Sequence, residues 1–321
     1  MKFLIIGMGS MGQRRLRVLK SLGFTDIWAF DSNADIALQI CKQHEKNICY
    51  AMDTLLGWLE EQNFDAMLVC TPPTTKQEYI LLANGFGIPC FTEADIMSYK
   101  GEYYPSRTMV FNPAIVKINQ FLKTNMLGKV CAFNYHMGQF LPSWHVGADM
   151  KKYYAAQKDT SGVLEMTAFE LSWLSFLFGM PTYFNHCIDK SLNLENVSAD
   201  DIITAVVSFD NGGKKVYGTM LIDTVSNPAT RDLKIIFENG TLFWNWDKDY
   251  ILVQAADGAT FKIYVEKGQP TDGYNKNISD DMYSSEIQNF IKAIAGQEDY
   301  NYSFILENKI SKIMEFVRGG F

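Results

Sequence analysis

A glycine-rich turn near the N-terminus constrains the fold of this chain more than any other feature of its sequence. Gly7, Gly9 and Gly12 form the pattern GxGxxG directly after the apolar run Phe3–Ile6, and a segment with helical spacing of apolar residues follows. In such a turn the first glycine permits the tight bend and the second lets a pyrophosphate approach the backbone, while the third allows close packing of helix on strand. The sequence therefore predicts a strand–turn–helix unit that binds a dinucleotide.

The residues around this turn indicate which dinucleotide is bound. The first turn of the helix, which contains Ser10 and Met11, offers free backbone N–H groups and the positive end of the helix dipole to phosphates. Asp31 ends the second predicted strand, about 20 residues after the third glycine. Its carboxylate would accept hydrogen bonds from the adenosine ribose hydroxyls and would repel a ribose phosphate. Because Ser32 and Asn33 supply no arginine for that phosphate, NAD is preferred to NADP.

The order of the predicted elements indicates two domains. In the first third of the chain, short apolar strands alternate with helices, which favours a parallel sheet covered on both faces. Further along, the hydrophobic period changes to two, and turn pairs such as Asn211-Gly212 and Asn239-Gly240 separate extended runs. We predict an α/β fold with a Rossmann dinucleotide-binding domain over residues 1–112. Residues 113–321 are predicted to form an α+β domain with an open, mainly antiparallel sheet, for substrate binding and oligomerisation. The C-terminal helix can pack back on the first domain.

Composition and charge exclude several classes of function. The 321 residues contain 29 Lys and Arg against 36 Asp and Glu, a formal net charge of −7. An acidic surface repels phosphate backbones, so we expect no nucleic acid partner. The longest apolar runs are too short to cross a bilayer, and the N-terminus leaves no room for a signal peptide, so we expect a cytoplasmic protein without a membrane partner. The six cysteines and four histidines show no metal-ligand spacing, so no metal is expected.

Several segments resemble the Gfo/Idh/MocA family of sugar oxidoreductases. They are GMGSMGQRR at 7–15, DAMLVCTPP at 65–73, FNP at 111–113, LGKV at 127–130 and the helix-like GVLEMTAFELSWLSFLFG at 162–179. The resemblance implies NAD(P)-dependent hydride transfer at a carbon of a sugar or a nucleotide-linked sugar. Residues 138–145 and 153–158 further resemble a branch of the family found with bacterial surface-glycan pathways.

The resemblance also implies cofactor contacts that follow two later strands. These are Thr71, Pro72, Pro73, Lys76 and Glu93. The family's Glu-Lys-Pro stands here as Glu93-Ala94-Asp95, so the glutamate is present and the lysine is absent. Lys76 and Lys100 are expected near the cofactor-side loops, and either could replace the missing ammonium.

The usual proton-handling residues of the second domain are only partly present. The acidic residue of the family's helix matches Glu165, but Phe169 occupies the position of its histidine. Hydride transfer from an alcohol needs a base for the hydroxyl proton. The predicted catalytic residues are Glu165, His145 and Lys158, and Tyr153 or Tyr154 are further candidates. Each has an alternative as an ordinary residue of a helix start, loop or surface.

Two functions are therefore open at this point. The first is an NAD-dependent oxidoreductase acting on a sugar or nucleotide-linked sugar, in bacterial surface-glycan biosynthesis. The second is a catalytically degenerate member of the family that binds NAD(H) and acts as a regulatory or structural subunit. In either case, apolar runs such as Ala205–Val207 must be covered on both faces of the sheet. We therefore expect a homodimer or homotetramer formed through the C-terminal sheet.

Overall fold

The computed structural model describes residues 1–44, 47–49, 51–144, 149–268, 277 and 279–319. The chain forms two compact units. The first contains Met1–Thr108 and Asp280–Phe304, and the second contains Met109–Ser279 and Ile305–Phe321. The chain thus leaves the first unit after residue 108 and returns to it with the helix that begins at residue 280.

Strands and helices account for most of the described residues. The strands are β1 (Phe3–Ile6), β2 (Ile27–Phe30), β3 (Asn47–Cys49), β4 (Ala66–Val69), β5 (Cys90–Thr92), β6 (Tyr104–Pro105), β7 (Val130–Gly138), β8 (Met180–Asp189), β9 (Ile202–Asn211), β10 (Lys214–Asp223), β11 (Thr230–Phe237), β12 (Gly240–Asn245), β13 (Tyr250–Ala255) and β14 (Thr260–Tyr264). The helices are α1 (Ser10–Ser21), α2 (Ala34–His44), α3 (Met52–Glu61), α4 (Pro73–Gly85), α5 (Pro113–Thr124), α6 (Gly162–Phe178), α7 (Asp280–Ile294) and α8 (Phe304–Gly319).

The first unit is built on a six-stranded parallel sheet. Its strand order is β3-β2-β1-β4-β5-β6, so the order reverses between β1 and β4. Both of these strands are wholly buried, which is why their sequences FLII and AMLV are continuously apolar rather than alternating. In open parallel sheets, ligands bind outside the carboxyl ends of the strands at such a reversal. The fold thus places the glycine turn, which follows β1, at the expected binding edge.

A helix from the C-terminal region completes the core of this unit. Ile287 and Phe290 of α7 are fully buried in the same cluster as Phe3, Leu16 and Phe91. The α7 helix therefore belongs to the dinucleotide-binding fold although it follows the second unit in sequence.

The second unit is built on an eight-stranded sheet. Its order is β14-β13-β12-β11-β7-β10-β9-β8, and β7 with β10 is parallel while the other neighbouring pairs are antiparallel. Phe133 and Tyr135 of β7 point to a face where they pack on aromatic residues of α6. On the other face, Val206 and Tyr217 are more than half exposed. The predicted mainly antiparallel sheet with one open face is confirmed.

Candidate functional site

The glycine turn of the first unit has the geometry that a bound phosphate needs. Gly7 has a φ of +88°, a left-handed conformation that glycine adopts without steric cost. A Cβ atom on Gly12 would lie 1.9 Å from the carbonyl oxygen of Gly7, so only glycine lets α1 approach the turn this closely. Gly9 caps α1 without a side-chain hydrogen bond, and a Cβ there would meet no described atom within 4 Å. The turn therefore leaves open space directly in front of the α1 N-terminus, where Ser10 and Met11 lie.

Asp31 stands at the end of β2 and is held by two backbone groups. Met8 N–H donates to its Oδ2 at 2.7 Å, and Asn33 N–H donates to its Oδ1 at 2.8 Å. Its carboxylate is thereby oriented beside the turn, and each oxygen retains a further lone pair for a hydroxyl donor. This arrangement fits a ribose diol.

Thr71 carries a buried polar atom at the same edge of the sheet. Its methyl group would be 3.0 Å from a Cβ on Gly7, so it lies against the glycine turn. Its Oγ1 is buried and has no hydrogen-bond partner among the residues that the structure describes. Buried hydroxyls are nearly always satisfied, so this one is available to an atom of a bound ligand or to an ordered water. Pro72 caps α4, and Pro73 is its first residue.

Glu93 follows β5 and is paired with a buried arginine. Arg15 Nε lies 2.5 Å from Glu93 Oε1 and Arg15 Nη2 lies 3.1 Å from Oε2, a bidentate contact. The same Nη2 lies 2.8 Å from Glu286 Oε2. Burial raises the pKa of Glu286 although the Arg15 charge opposes the shift, and burial together with the Glu93 charge raises the pKa of the Cys70 thiol. The Glu93 carboxylate is thus held in a network of charged groups that joins α1, β5 and α7.

Lys76 brings a buried ammonium to the segment that follows β5. Its Nζ donates to the Glu93 carbonyl oxygen at 2.6 Å and to Asp95 Oδ2 at 2.5 Å. The Tyr99 hydroxyl lies 2.7 Å from the same Oδ2. A positive charge therefore lies beside residue 94, the position at which the sequence has alanine in place of the family's lysine. Lys100, the other lysine considered, is exposed.

In the second unit, Glu165 lies in the first turn of α6. Most of this helix is buried, but Glu165 and Phe169, four residues apart, are both partly exposed and share one face. The Tyr154 hydroxyl donates to Glu165 Oε1 at 3.1 Å, and Glu165 Oε2 is shielded from solvent. Burial and the Glu165 charge raise the pKa of the Tyr153 phenol. The structure therefore brings two of the candidate residues, Glu165 and Tyr154, into direct contact.

Comparisons with known proteins were made on this basis. A comparison with protein-family models gives no match, and neither does one with curated proteins. Among solved structures, levoglucosan dehydrogenase in complex with NADH and levoglucosan matches with TM-score 0.79 and 15% identity, over 98% of this chain and 95% of that one. An Agrobacterium radiobacter oxidoreductase in complex with NAD⁺, L-tartaric acid and magnesium matches with TM-score 0.80 and 11% identity, over 98% and 94%. UDP-N-acetylglucosamine 3-dehydrogenase from Acidithiobacillus ferrooxidans matches with TM-score 0.74 and 16% identity, over 99% and 97%.

The chain shares the fold of these three oxidoreductases. At identities of 11 to 16% the likeness establishes the fold. It confirms the predicted Rossmann-like unit followed by an open, mainly antiparallel sheet.

Two predicted catalytic residues remain outside any described cluster. Lys158 is exposed, and its backbone N–H donates to Ser198 Oγ at 3.2 Å. His145 lies outside the described residues, so its proposed partnership with Glu165 stays a prediction. Among the residues that the structure describes, no group of three or more His, Cys, Asp or Glu side chains could hold a metal ion. No helix in this part of the chain has the length and apolar character to span a membrane.

Sequence reasoning missed a buried polar cluster beneath α6. Glu170 is fully buried and receives hydrogen bonds of 2.5 Å from Arg231 Nη2, the Tyr135 hydroxyl and Trp173 Nε1. Arg231 Nε also donates to the Tyr135 hydroxyl at 3.1 Å. The four residues of this cluster come from β7, α6 and β11. Because they belong to separate elements, no local sequence pattern could reveal the cluster. The cluster ties the helix that carries Glu165 to the sheet.

Proposed function

We propose that this chain is an NAD-dependent oxidoreductase that transfers a hydride at a carbon of a sugar or nucleotide-linked sugar. The observation that carries the proposal is the open glycine turn in front of α1, with the Asp31 carboxylate and the orphaned Thr71 hydroxyl beside it. Structural neighbours solved with NADH or NAD⁺ support this cofactor, and those named as levoglucosan and UDP-N-acetylglucosamine dehydrogenases support a sugar substrate. A role in bacterial surface-glycan biosynthesis in the cytoplasm remains part of the proposal.

Residues of the first unit would make three kinds of contact with the cofactor. The backbone from Gly7 to Gly12 would receive the pyrophosphate, and Asp31 would bind the adenosine ribose. Thr71 and the start of α4 would line the part of the cofactor site that lies beyond the pyrophosphate. When bound, NAD supplies the acceptor or donor of the hydride. Because Asp31 is negative, it would repel the additional phosphate of NADP.

Lys76 and Glu93 would act on this site by fixing its framework. Their charges are engaged by Asp95 and Arg15, and Lys76 also holds the Glu93 carbonyl. A buried ion pair of this kind orients the backbone that carries it, because either partner alone would be an uncompensated charge. We propose that the Lys76–Asp95 pair, together with the hydrogen bond from Lys76 to the Glu93 carbonyl, keeps the segment around Ala94 in position.

On the substrate side, we propose Glu165 as the group that accepts the proton during oxidation. It is the carboxylate on the partly exposed face of α6, and a base must reach the substrate hydroxyl directly or through one intervening group. His145 and Lys158 remain proposed contributors to the same proton transfer.

A catalytically degenerate protein is the second candidate. Ala94 and Phe169 favour it, because neither side chain can exchange a proton. Such a protein would bind NAD(H) as a regulatory or structural subunit without turnover.

The open face of the second sheet supports self-association. Tyr183, Val206 and Tyr217 lie on the neighbouring strands β8, β9 and β10, and each is more than half exposed. An apolar patch of this kind marks an interaction site, and we propose a second copy of this chain as its occupant. Sedimentation or light scattering would detect the resulting homodimer or homotetramer, and a monomer at micromolar concentration would contradict the proposal.

One experiment separates the two functions. Calorimetric titration with NADH and NADPH measures cofactor choice, and absorbance of NADH is then followed with a panel of sugars and nucleotide sugars. Tighter binding of NADH and a change in absorbance with one substrate are expected. Tighter NADPH binding would contradict the role of Asp31, whereas NADH binding without turnover on the whole panel would favour the degenerate protein. Asp31→Ala, with Asp35→Ala as an exposed control from α2, assigns the preference to this carboxylate.

A further inference from the structure

The Tyr154 phenol covers the side of Glu165 that can receive a proton. Its hydroxyl donates to Glu165 Oε1 at 3.1 Å, while the other carboxylate oxygen, Oε2, is shielded from solvent. A carboxylate in this position exchanges protons most directly with the phenol bound to it. Tyr154 is itself partly exposed, so the pair has a solvent-accessible end.

The backbone holds Tyr154 in a fixed position relative to α6. It begins a short 3-10 helix whose next two residues, Ala155 and Ala156, are fully buried. The Thr160 hydroxyl donates to the Tyr154 carbonyl, and Ser198 N–H donates to the Ala156 carbonyl at 2.8 Å. Because backbone hydrogen bonds anchor this turn, the Tyr154 phenol loses little conformational entropy when it hydrogen-bonds a substrate. A group that transfers a proton requires such fixed positioning.

Phe169 and Trp144, the other aromatic residues near the start of α6, do not offer the chemistry of a phenol. Phe169 shares the exposed face of α6 with Glu165 but has no exchangeable proton. Trp144 lies against the start of α6, where its ring would be 3.2 Å from a Cβ on Gly162, and its Nε1 donates to the Gln139 carbonyl. Tyr153 and Tyr154 both pack on the buried cluster beneath this loop, with their ring centroids 5.3 Å apart. The Tyr154 hydroxyl is the phenol that the structure shows hydrogen-bonded to Glu165 Oε1.

We propose that Tyr154 is a catalytic residue that exchanges a proton with the substrate hydroxyl, and that Glu165 takes up and returns this proton through the Tyr154 phenol. The inference rests on the proposed oxidoreductase function. In the oxidation direction, the substrate O–H proton passes to the Tyr154 oxygen as the phenol proton passes to Glu165 Oε1. The substrate carbon loses a hydride to the nicotinamide of NAD⁺ and becomes a carbonyl. The products are the carbonyl compound, NADH and a protonated Glu165, which then returns its proton through the Tyr154 hydroxyl to water.

The test compares Tyr154→Phe, Glu165→Gln and the double variant with the full-length protein. Tyr250→Phe, a partly exposed tyrosine on β13, serves as the matched control. Turnover with the substrate found in the panel, NADH affinity by fluorescence titration and the pH profile of kcat/KM are measured for each. Loss of a group that exchanges a proton costs about 10²–10⁴-fold in turnover.

We expect both single variants to lose turnover in that range while NADH affinity and the melting temperature stay close to wild type. Because the two groups act as one relay, the double variant should be no slower than the slower single variant. Wild-type turnover by Tyr154→Phe with an unchanged pH profile, or losses that multiply in the double variant, would overturn the relay and leave the oxidoreductase function standing. A wild-type protein that turns over no sugar would overturn both.

Discussion

Gly9 and Gly12 belong to one motif, but substitution of Gly9 should leave stability nearly unchanged while substitution of Gly12 should lower it. A Cβ on Gly9 meets no described atom within 4 Å, and the φ of this residue is −66°, which any amino acid adopts. Gly9→Val should therefore change the free energy of unfolding by no more than about 0.5 kcal/mol, as for other surface substitutions. Its side chain would occupy the space left for the pyrophosphate, so NADH affinity should fall at least about 100-fold, or roughly 2.7 kcal/mol.

Gly12→Ala should instead damage the fold. Its Cβ would lie 1.9 Å from the Gly7 carbonyl oxygen, whereas ordinary contacts begin near 3.4 Å, so the turn must open by about 1.5 Å. Overpacking against a well-packed core costs about 1–3 kcal/mol, and the upper end applies here because the obstructing atom is backbone.

The assay is a pair of measurements on each variant, thermal unfolding followed by circular dichroism and NADH binding followed by fluorescence. Gly57→Ala within α3 is a suitable control, because its Cβ also meets no described atom within 4 Å. If Gly9→Val binds NADH within threefold of wild type, the phosphate site is not at this turn. If Gly12→Ala melts at the wild-type temperature, the steric argument is wrong.

Three further predictions follow from buried charges. Glu170→Leu leaves Arg231 buried without its carboxylate and should lower the free energy of unfolding by about 3–5 kcal/mol in urea titrations, whereas a loss below about 1 kcal/mol would show that the cluster is dispensable. Burial opposes the shift, but hydrogen bonds from His136 and Ser226 lower the pKa of Asp223. The ionised carboxylate therefore stabilises the fold above the unfolded pKa of 3.8, and this stabilisation is lost as pH falls through the lower folded pKa. Asp223→Asn should lose less free energy of unfolding than wild type over this acidic range, and an equal loss in both proteins would contradict this. Ala94→Lys should not raise turnover, because Lys76 already places an ammonium at this segment, and a large gain in the NADH assay would show that a lysine at position 94 is what the site lacks.

The glycine turn could be predicted because its requirements are local. A positive φ at Gly7 and a close approach at Gly12 are met by residue type alone, and Asp31 follows at the expected distance. Alternation of apolar residues likewise predicted strands such as β9 and β10. These features depend on residues that are close in the sequence, so they can be predicted from one sequence alone.

Elements with mixed or interrupted patterns were not predicted. The α3 helix is short and contains Gly57, which weakens a helical pattern. The β8 strand is an edge strand with Pro181 and a register shift near its start, so its alternation is broken.

The contacts that determine the proton chemistry depend on tertiary packing and could not be predicted. The Tyr154–Glu165 contact joins a loop to a helix, and Glu170 and Arg231 are 61 positions apart. Sequence reasoning named Glu165 and considered Tyr154, but only the fold shows that the phenol is bonded to that carboxylate. The pairing of Glu93 with Arg15 was missed for the same reason.

The two departures from the family's pattern have the same structural consequence. Beside Ala94, an ammonium reaches the Glu93 carbonyl from Lys76 of α4, and in the helix turn before Phe169, a phenol reaches Glu165 from Tyr154. In each case a neighbouring element supplies a polar group, an ammonium or a phenol, near a position whose own side chain cannot exchange a proton. Stability alone does not explain the buried Lys76, because an apolar pair of similar size is often as stable as a buried ion pair. The Tyr154–Glu165 contact therefore favours a proton-handling pair that has changed position, whereas the ion-paired Lys76 fits its proposed role in the framework of the segment.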